Sequence, residues 1–445
     1  MQPTEAASLG AIPGLIWAAP FFGILLSIAL LPILAPRFWH RRMRWVSLFW
    51  IAALLVPLAI TQGLSQAAEL AWHSILTEYL PFITLLLALY AAGGGVLIRG
   101  GPAGTPSGNT LMLGAGMCLG IVMGQAGAAM VMINPLLHAN AHRHRKVHLA
   151  LFLIVLIANA SGALTPLGNP PLYIGFLEGV PFFWTTRHLW APLLILSAIL
   201  LTAFYLLDSW LARTDPPRPK PERLRVRGWG NAVLILLTGA TVLAEGMVPN
   251  HDISLIGQPI SLIRLVAIGV FLAVTGLSAA TTPLAIRQAN DFTWAPMTEV
   301  AELFLAIFIT IAPMLTMLHA GLDGPFAPVL RLTLDPAGHP RPVAYFWLAG
   351  ILSAFLDNAP TYLVFFNLAG IHAPAITADQ TRALAALSAG AVFFGGLTYI
   401  GNAPNMMVRG VAAHRGVRMP AFFTFMAMAA CLMLPVFALL TVLFF

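Results

Sequence analysis

Long apolar runs recur from one end of the 445-residue chain to the other, and they limit what it can fold into before any motif is considered. A run of 18 or more such residues with few charges is long enough to cross a hydrocarbon core. Hydrophobic residues make up 59% of the chain and charged ones 9%, against roughly 45–50% and 25% in soluble domains. So few charges cannot cover a water-facing globule of this size. The expected class is an all-α polytopic membrane protein. Two lone cysteines, Cys118 and Cys431, both inside apolar runs, exclude a disulfide scaffold. The basic excess, 23 Lys and Arg against 16 Asp and Glu, sits in short loops between the runs. That is the positive-inside pattern and not a nucleic-acid-binding patch.

The first run, Ile12 to Ala35, follows Glu5 and precedes Arg37, Arg41, Arg42 and Arg44. A signal peptide carries its basic residues on the other flank, so this run reads as a retained span with the N-terminus outside. Further spans are expected at Trp45–Thr61, Leu80–Ile98, His148–Phe176 and Trp190–Asp208, then at Asn231–Val248, Ile263–Ile286, Thr298–Ala320, Leu384–Val408 and Pro420–Phe445. Leu64 to Tyr79 reads as an amphipathic stretch lying in the outer interface. Two more runs are apolar but broken, one at Gly124-Gln125-Ala126-Gly127 and one at Asp357-Asn358-Ala359-Pro360. A break at membrane depth is tolerated only where it is buried in protein or lines a cavity, so both read as re-entrant hairpins, over about 110–138 and 343–370. Residues 213–230 are rich in proline and charge and read as a cytoplasmic linker. The basic loops around 138–148 and 409–418 fall on the same side as that linker.

An internal repeat organises these runs. Leu164-Thr165-Pro166-Leu167-Gly168-Asn169-Pro170-Pro171 returns as Leu397-Thr398-Tyr399-Ile400-Gly401-Asn402-Ala403-Pro404, an offset of 233 residues (397 minus 164). The same offset places Gln125 opposite Asn358, so each hairpin tip precedes its Gly-Asn motif by the same spacing. Five crossings and the linker separate the halves, so the second half is expected to be inverted. The expected architecture is therefore two inverted repeats, residues 1–212 and 231–445, each of five spans plus a hairpin. The broken helices fall at about 148–176 and 384–408. Inverted repeats with discontinuous helices are the plan of secondary transporters, with the site near the midplane. Gly permits unusual dihedrals and Pro frees a carbonyl from the helical ladder, so such breaks offer oxygens to a cation. The helix N-termini they expose can hold an anion.

The strings Gly-Ala-Leu-Thr-Pro-Leu-Gly-Asn-Pro-Pro-Leu (162–172), Phe-Leu-Asp-Asn-Ala-Pro-Thr-Tyr (355–362) and Thr-Tyr-Ile-Gly-Asn-Ala-Pro-Asn (398–405) resemble the ion transporter superfamily, in particular its bacterial sodium:proton antiporter and citrate transporter group. Residues 296–304 resemble a segment of the same group. The resemblance implies a homodimer in a bacterial inner membrane, with both termini periplasmic in the topology above. Two departures stand out. That group often carries Asp where this chain has Asn169, and Thr and Ser at the first tip where this one reads Gln-Ala-Gly-Ala-Ala (125–129).

Asp357 is the only carboxylate in the four motif elements, and intramembrane carboxylates mark ion pathways. Together with Asn358, Thr361, Thr398, Asn402 and Asn405 it forms the expected cation site, because a hard cation needs several oxygens. Na⁺ is expected at Asp357, Asn358 and Asn402. Gln125, Thr165 and Asn169 are the uncharged first-half partners, suited to hydrogen-bonding a substrate or to filling a vestigial site. Glu299 and Glu302, one turn apart at the start of a span, are candidates for a proton relay. The run His138, His142, His144, His148 is interleaved with Arg and Lys and reads as a basic cytoplasmic loop. No cofactor is implied beyond Na⁺ and H⁺ as transported or coupling ions, and the remaining partners are membrane lipid and a small organic anion. From the sequence, sodium:proton antiport ranks ahead of cation-coupled uptake of citrate or a similar anion, because one acid without a fixed base suits competition between cations. An intramembrane enzyme ranks far behind, since the chain carries no Gly-x-Ser-x-Gly, Walker A or His-Glu-x-x-His string.

Overall fold

Lipid offers no partner for a backbone N–H or C=O, so apolar runs that enter it close their hydrogen bonds within helices. The computed structural model describes residues 14–102, 104–216, 222–249, 251–255, 257–371 and 376–445. In chain order come α1 (Ala19–Leu34), α2 (Pro36–Gln62), α3 (Leu64–His73), α4 (Leu80–Gly93), β1 (Leu97–Gly101), α5 (Pro106–Met123) and α6 (Gln125–Ala139). Then follow α7 (Val147–Leu156), α8 (Pro170–Leu177), α9 (Trp184–Leu211), β2 (Glu222–Arg227), α10 (Trp229–Met247), β3 (Asp252–Leu255) and β4 (Gln258–Ser261). The last group is α11 (Leu262–Thr281), α12 (Leu284–Ala289), α13 (Ala295–His319), α14 (Ala327–Thr333), α15 (Pro342–Leu356), α16 (Asn358–Leu368), α17 (Ala378–Phe394), α18 (Ala403–His414) and α19 (Phe422–Phe444). The chain is an all-α multi-pass membrane protein with two small antiparallel strand pairs, β1 with β2 and β3 with β4.

Ten described helices are long and apolar enough to cross a membrane. The number equals the expected one, but the members differ. Pro106–Met123, an arm of the first hairpin, qualifies, whereas α17 has only 17 residues. Large apolar side chains face outward, among them Leu206 on α9, Leu236 on α10 and Val442 on α19, as a lipid-facing surface requires. The interior belongs to α7 and α17. Leu149, Leu153, Leu384, Leu387 and Phe393 are fully buried there, so the broken helices run through the centre of the molecule.

One expectation needs correction. The stretch after Leu64 is not a separate interfacial helix, because α3 passes through a π-helical segment, Ser74–Tyr79, straight into α4. Within the linker, β2 pairs Val226 with Ile98 and Arg225 with Arg99. Residues 217–221 of the linker, and 1–13 at the N-terminus, lie outside the described residues. The loop after α6 also contributes a buried charge. Arg143 is buried there and bonds Asp208 near the end of α9, Asp215 at 2.7 Å and Asn140 at 3.2 Å. His148 Nε2 lies 2.7 Å from the same Asp208, and Asn109 donates to it at 2.9 Å. A buried charge is tolerated when it is paired and hydrogen-bonded, and this cluster ties the base of the first hairpin to α7 and α9.

Both broken runs fold back on themselves. Near the start of α5, Asn109 exchanges side-chain hydrogen bonds of 2.9 and 2.8 Å with Asn140, just past the end of α6. Near the start of α15, Tyr345 packs edge-on against Phe365 near the end of α16, with centroids 6.2 Å apart. The hairpins open toward opposite ends of α13. Past α18, Arg415 bonds Asn134 near the base of the first hairpin and Asp291 just before α13, both at 3.1 Å. At the other end, His319 bonds Asn367 near the base of the second hairpin at 2.9 Å. The 25 residues of α13 between them span about 38 Å at the α-helical rise.

Candidate functional site

Gly124 and Asp357 turn the two hairpins with nearly the same backbone. Gly124 has φ 76° and ψ 151°, and Asp357 has φ 71° and ψ 149°. Each tip is fastened to its broken helix by the same bond. Thr165 Oγ1 donates to the Ile121 carbonyl at 2.6 Å, and Thr398 Oγ1 to the Ala354 carbonyl at 2.5 Å. Glycine allows each broken helix to fold tightly at its break. A Cβ on Gly162 would stand 2.5 Å from the Gly168 carbonyl oxygen, and one on Gly401 would stand 2.7 Å from that of Gly395. Beyond the breaks, α8 and α18 restart from extended Asn169 and Asn402. Proline follows within the first turn of each, where the missing N–H would have had no partner in any case.

Across the halves the packing is reciprocal, with α6 against α18 and α16 against α8. A cavity of about 720 Å³, its mouth included, lies where these elements meet. Gly124 to Gly127, Gly168, Pro170, Asp357 and Asn402 to Pro404 line it. Leu86, Leu89 and Tyr90 of α4 wall one side, and Pro296, Met297, Val300 and Phe304 of α13 another. The starts of α6, α8 and α18 and the N-cap of α16 therefore border one space, each carrying about half a positive charge from its helix dipole. Among the described lining residues Asp357 is the only carboxylate, and none is Lys, Arg or His.

The expected site residues divide into three groups. Asp357, Gln125 and Asn402 reach the cavity. Behind them, Asn169 Nδ2 donates to Gln125 Oε1 at 2.8 Å, and its Oδ1 accepts from Gln125 at 3.2 Å and from Asn358 at 2.9 Å. Turned over about its terminal bond, the Gln125 amide instead donates to the Ala158 carbonyl at 3.1 Å and accepts from Asn402 at 2.6 Å. The third group holds the backbone. Thr165 and Thr398 fasten the tips, Thr361 bonds the Asp357 carbonyl at 2.9 Å, and Asn405 donates to the carbonyls of Gly395 and Thr398, each at 2.8 Å.

Glu299 and Glu302 are not among the lining residues, although Val300 between them is. Glu302 instead pairs with Arg44 at 2.6 Å. One participant escaped the sequence reading. Asn159, fully buried between α7 and its break, donates to Asn405 at 2.8 Å and accepts from Asn402 at 3.1 Å. Its signal was a polar amide in an apolar run, but it has no counterpart at the repeat offset, where Val392 stands.

No curated protein sequence matches the chain. The family model described as "Putative citrate transport" matches residues 10–445, nearly the whole chain, and the protein belongs to that family.

Proposed function

We propose that the protein is a secondary active transporter that couples a cation at Asp357 to movement of an organic anion of the citrate class. The observation that carries this reading is the convergence of four helix N-termini on a cavity where Asp357 is the only charged side chain among the described lining residues. Helix N-termini favour anions, and here they stand in for the absent Lys or Arg. An ionised Asp357 opposes a carboxylate cargo, while a proton or Na⁺ on it removes that repulsion. Cation and anion then bind together more readily than either alone, which is coupling expressed as linkage. The amide oxygens of Asn358 and Asn402 complete the cation's oxygen set in this reading. The chain acts as a transporter rather than an intramembrane enzyme.

The architecture attached to this reading is two inverted repeats, residues 1–212 and 231–445, joined by a cytoplasmic linker. It includes a homodimer in a bacterial inner membrane with both termini periplasmic. The opposed hairpins and the shared tip geometry support the repeat. Sodium:proton antiport is the second reading, favoured by a lone exchangeable carboxylate with no fixed base beside it. Proteoliposomes loaded with buffer and given ¹⁴C-citrate under an imposed Na⁺ or pH gradient separate the two. Gradient-driven citrate accumulation that fails in Asp357→Asn supports the coupled uptake. Na⁺-driven proton movement without any citrate flux overturns it in favour of antiport.

A further inference from the structure

The two hairpin tips share a backbone but not a chemistry. Gly124 lies 233 residues before Asp357, the offset of the whole repeat, and both adopt positive φ with extended ψ. That region is essentially reserved for glycine, and a side chain held there is strained. Among the described residues only Asp291 and Asp357 are non-glycines at positive φ. Asp357 recovers part of the strain by accepting the Ala359 N–H at 3.3 Å as an N-cap. The second half thus keeps a carboxylate where the fold favours glycine.

The polar groups beside each tip differ in the same direction. In the first half, the Gln125 amide is closed by protein partners in either orientation, the Asn169 amide in one and the Ala158 carbonyl and Asn402 side chain in the other, and Asn169 Oδ1 takes the Asn358 N–H. No carboxylate stands at that tip. In the second half, Asp357 lines the cavity, and Asn358 Oδ1 is buried with no donor among the described residues. A buried acceptor left unpaired is costly, and a cation beside it would satisfy it.

We infer that the transporter carries one coupling cation per cycle, bound at the second-half tip alone, and that the first tip is a closed amide clasp holding the two halves together. This rests on the coupled-transport reading above and concerns only its stoichiometry.

The test uses the full-length protein in proteoliposomes, with ¹⁴C-citrate uptake measured against Na⁺ at fixed pH and against pH without Na⁺. Uptake should rise with a Hill coefficient of one in whichever cation drives it. Asp357→Gly should abolish that dependence while the purified protein melts at or above the wild-type temperature, because glycine relaxes the tip. Asp357→Asn should abolish it without that gain. A Hill coefficient near two, or cation-driven uptake surviving in Asp357→Gly, overturns the single-site assignment alone. Uptake driven by neither cation in the wild type overturns the coupled-transport reading as well. A melting temperature for Asp357→Gly several degrees below wild type overturns the assignment of strain to this tip.

Discussion

Replacing Arg143 by Gln tests whether the first hairpin is anchored at its base by buried charge. The guanidinium bonds Asp208, Asp215, Asn140 and the Asp208 carbonyl, and the Arg143 and Asp208 side chains are 1% and 0% exposed. Removing one member of a buried pair costs about 3–5 kcal/mol, because the other charge is stranded. His148 and Asn109 still bond Asp208 in the variant, so the loss belongs at the lower end, about 3 kcal/mol. For a chain longer than 250 residues each kcal/mol moves the melting point by about 1–2 °C, so a fall of about 3–6 °C is expected. Size-exclusion thermostability of the detergent-solubilised protein reads it. The double variant Arg143→Gln/Asp208→Asn removes the more deeply buried of the two stranded carboxylates, leaving only Asp215, and should recover at least half the loss. A single variant that melts like the wild type, or a double variant no better than the single, would refute the anchoring argument.

Asn159→Ala leaves Asn405 Oδ1 without its donor, a loss of about 1–3 kcal/mol. Because Asn402 also loses a partner at the cavity wall, the KM for citrate should rise in the uptake assay. Glu302→Gln breaks only a pair with the exposed Arg44, worth about 0–1 kcal/mol, and should leave uptake within about twofold of wild type. A tenfold loss would instead restore Glu302 as a proton relay. Burial raises the Asp215 carboxyl, but the hydrogen bonds from Arg143 and the His144 amide and the Arg143 charge outweigh it and hold it below the ordinary value. A depressed carboxylate contributes stability above its unfolded value and loses it as pH falls through the folded one. A pH series of melting curves should therefore show Asp215→Asn converging on wild type as pH falls below about 4.

Period and spacing made much of this protein legible in one dimension. Apolar length fixed the class, because a run of some twenty residues has few ways to satisfy its backbone except as a helix in lipid. The 233-residue offset placed both tips and both Gly-Asn breaks, because the geometry of a broken helix depends on local Gly and Pro chemistry. It could not say which polar groups face one another. Thr165, Thr398 and Asn405 looked like ligands, and folding turned them onto backbone carbonyls, since at a break the nearest orphan acceptors are the chain's own. Glu299 and Glu302 were singled out in a segment that does reach the cavity, but helical phase sends Met297, Val300 and Phe304 there instead. The Arg143–Asp208 and Asn159–Asn405 bonds join residues 65 and 246 positions apart. Such contacts exist only once the helices have packed, and no local pattern encodes which buried amide or charge will meet which.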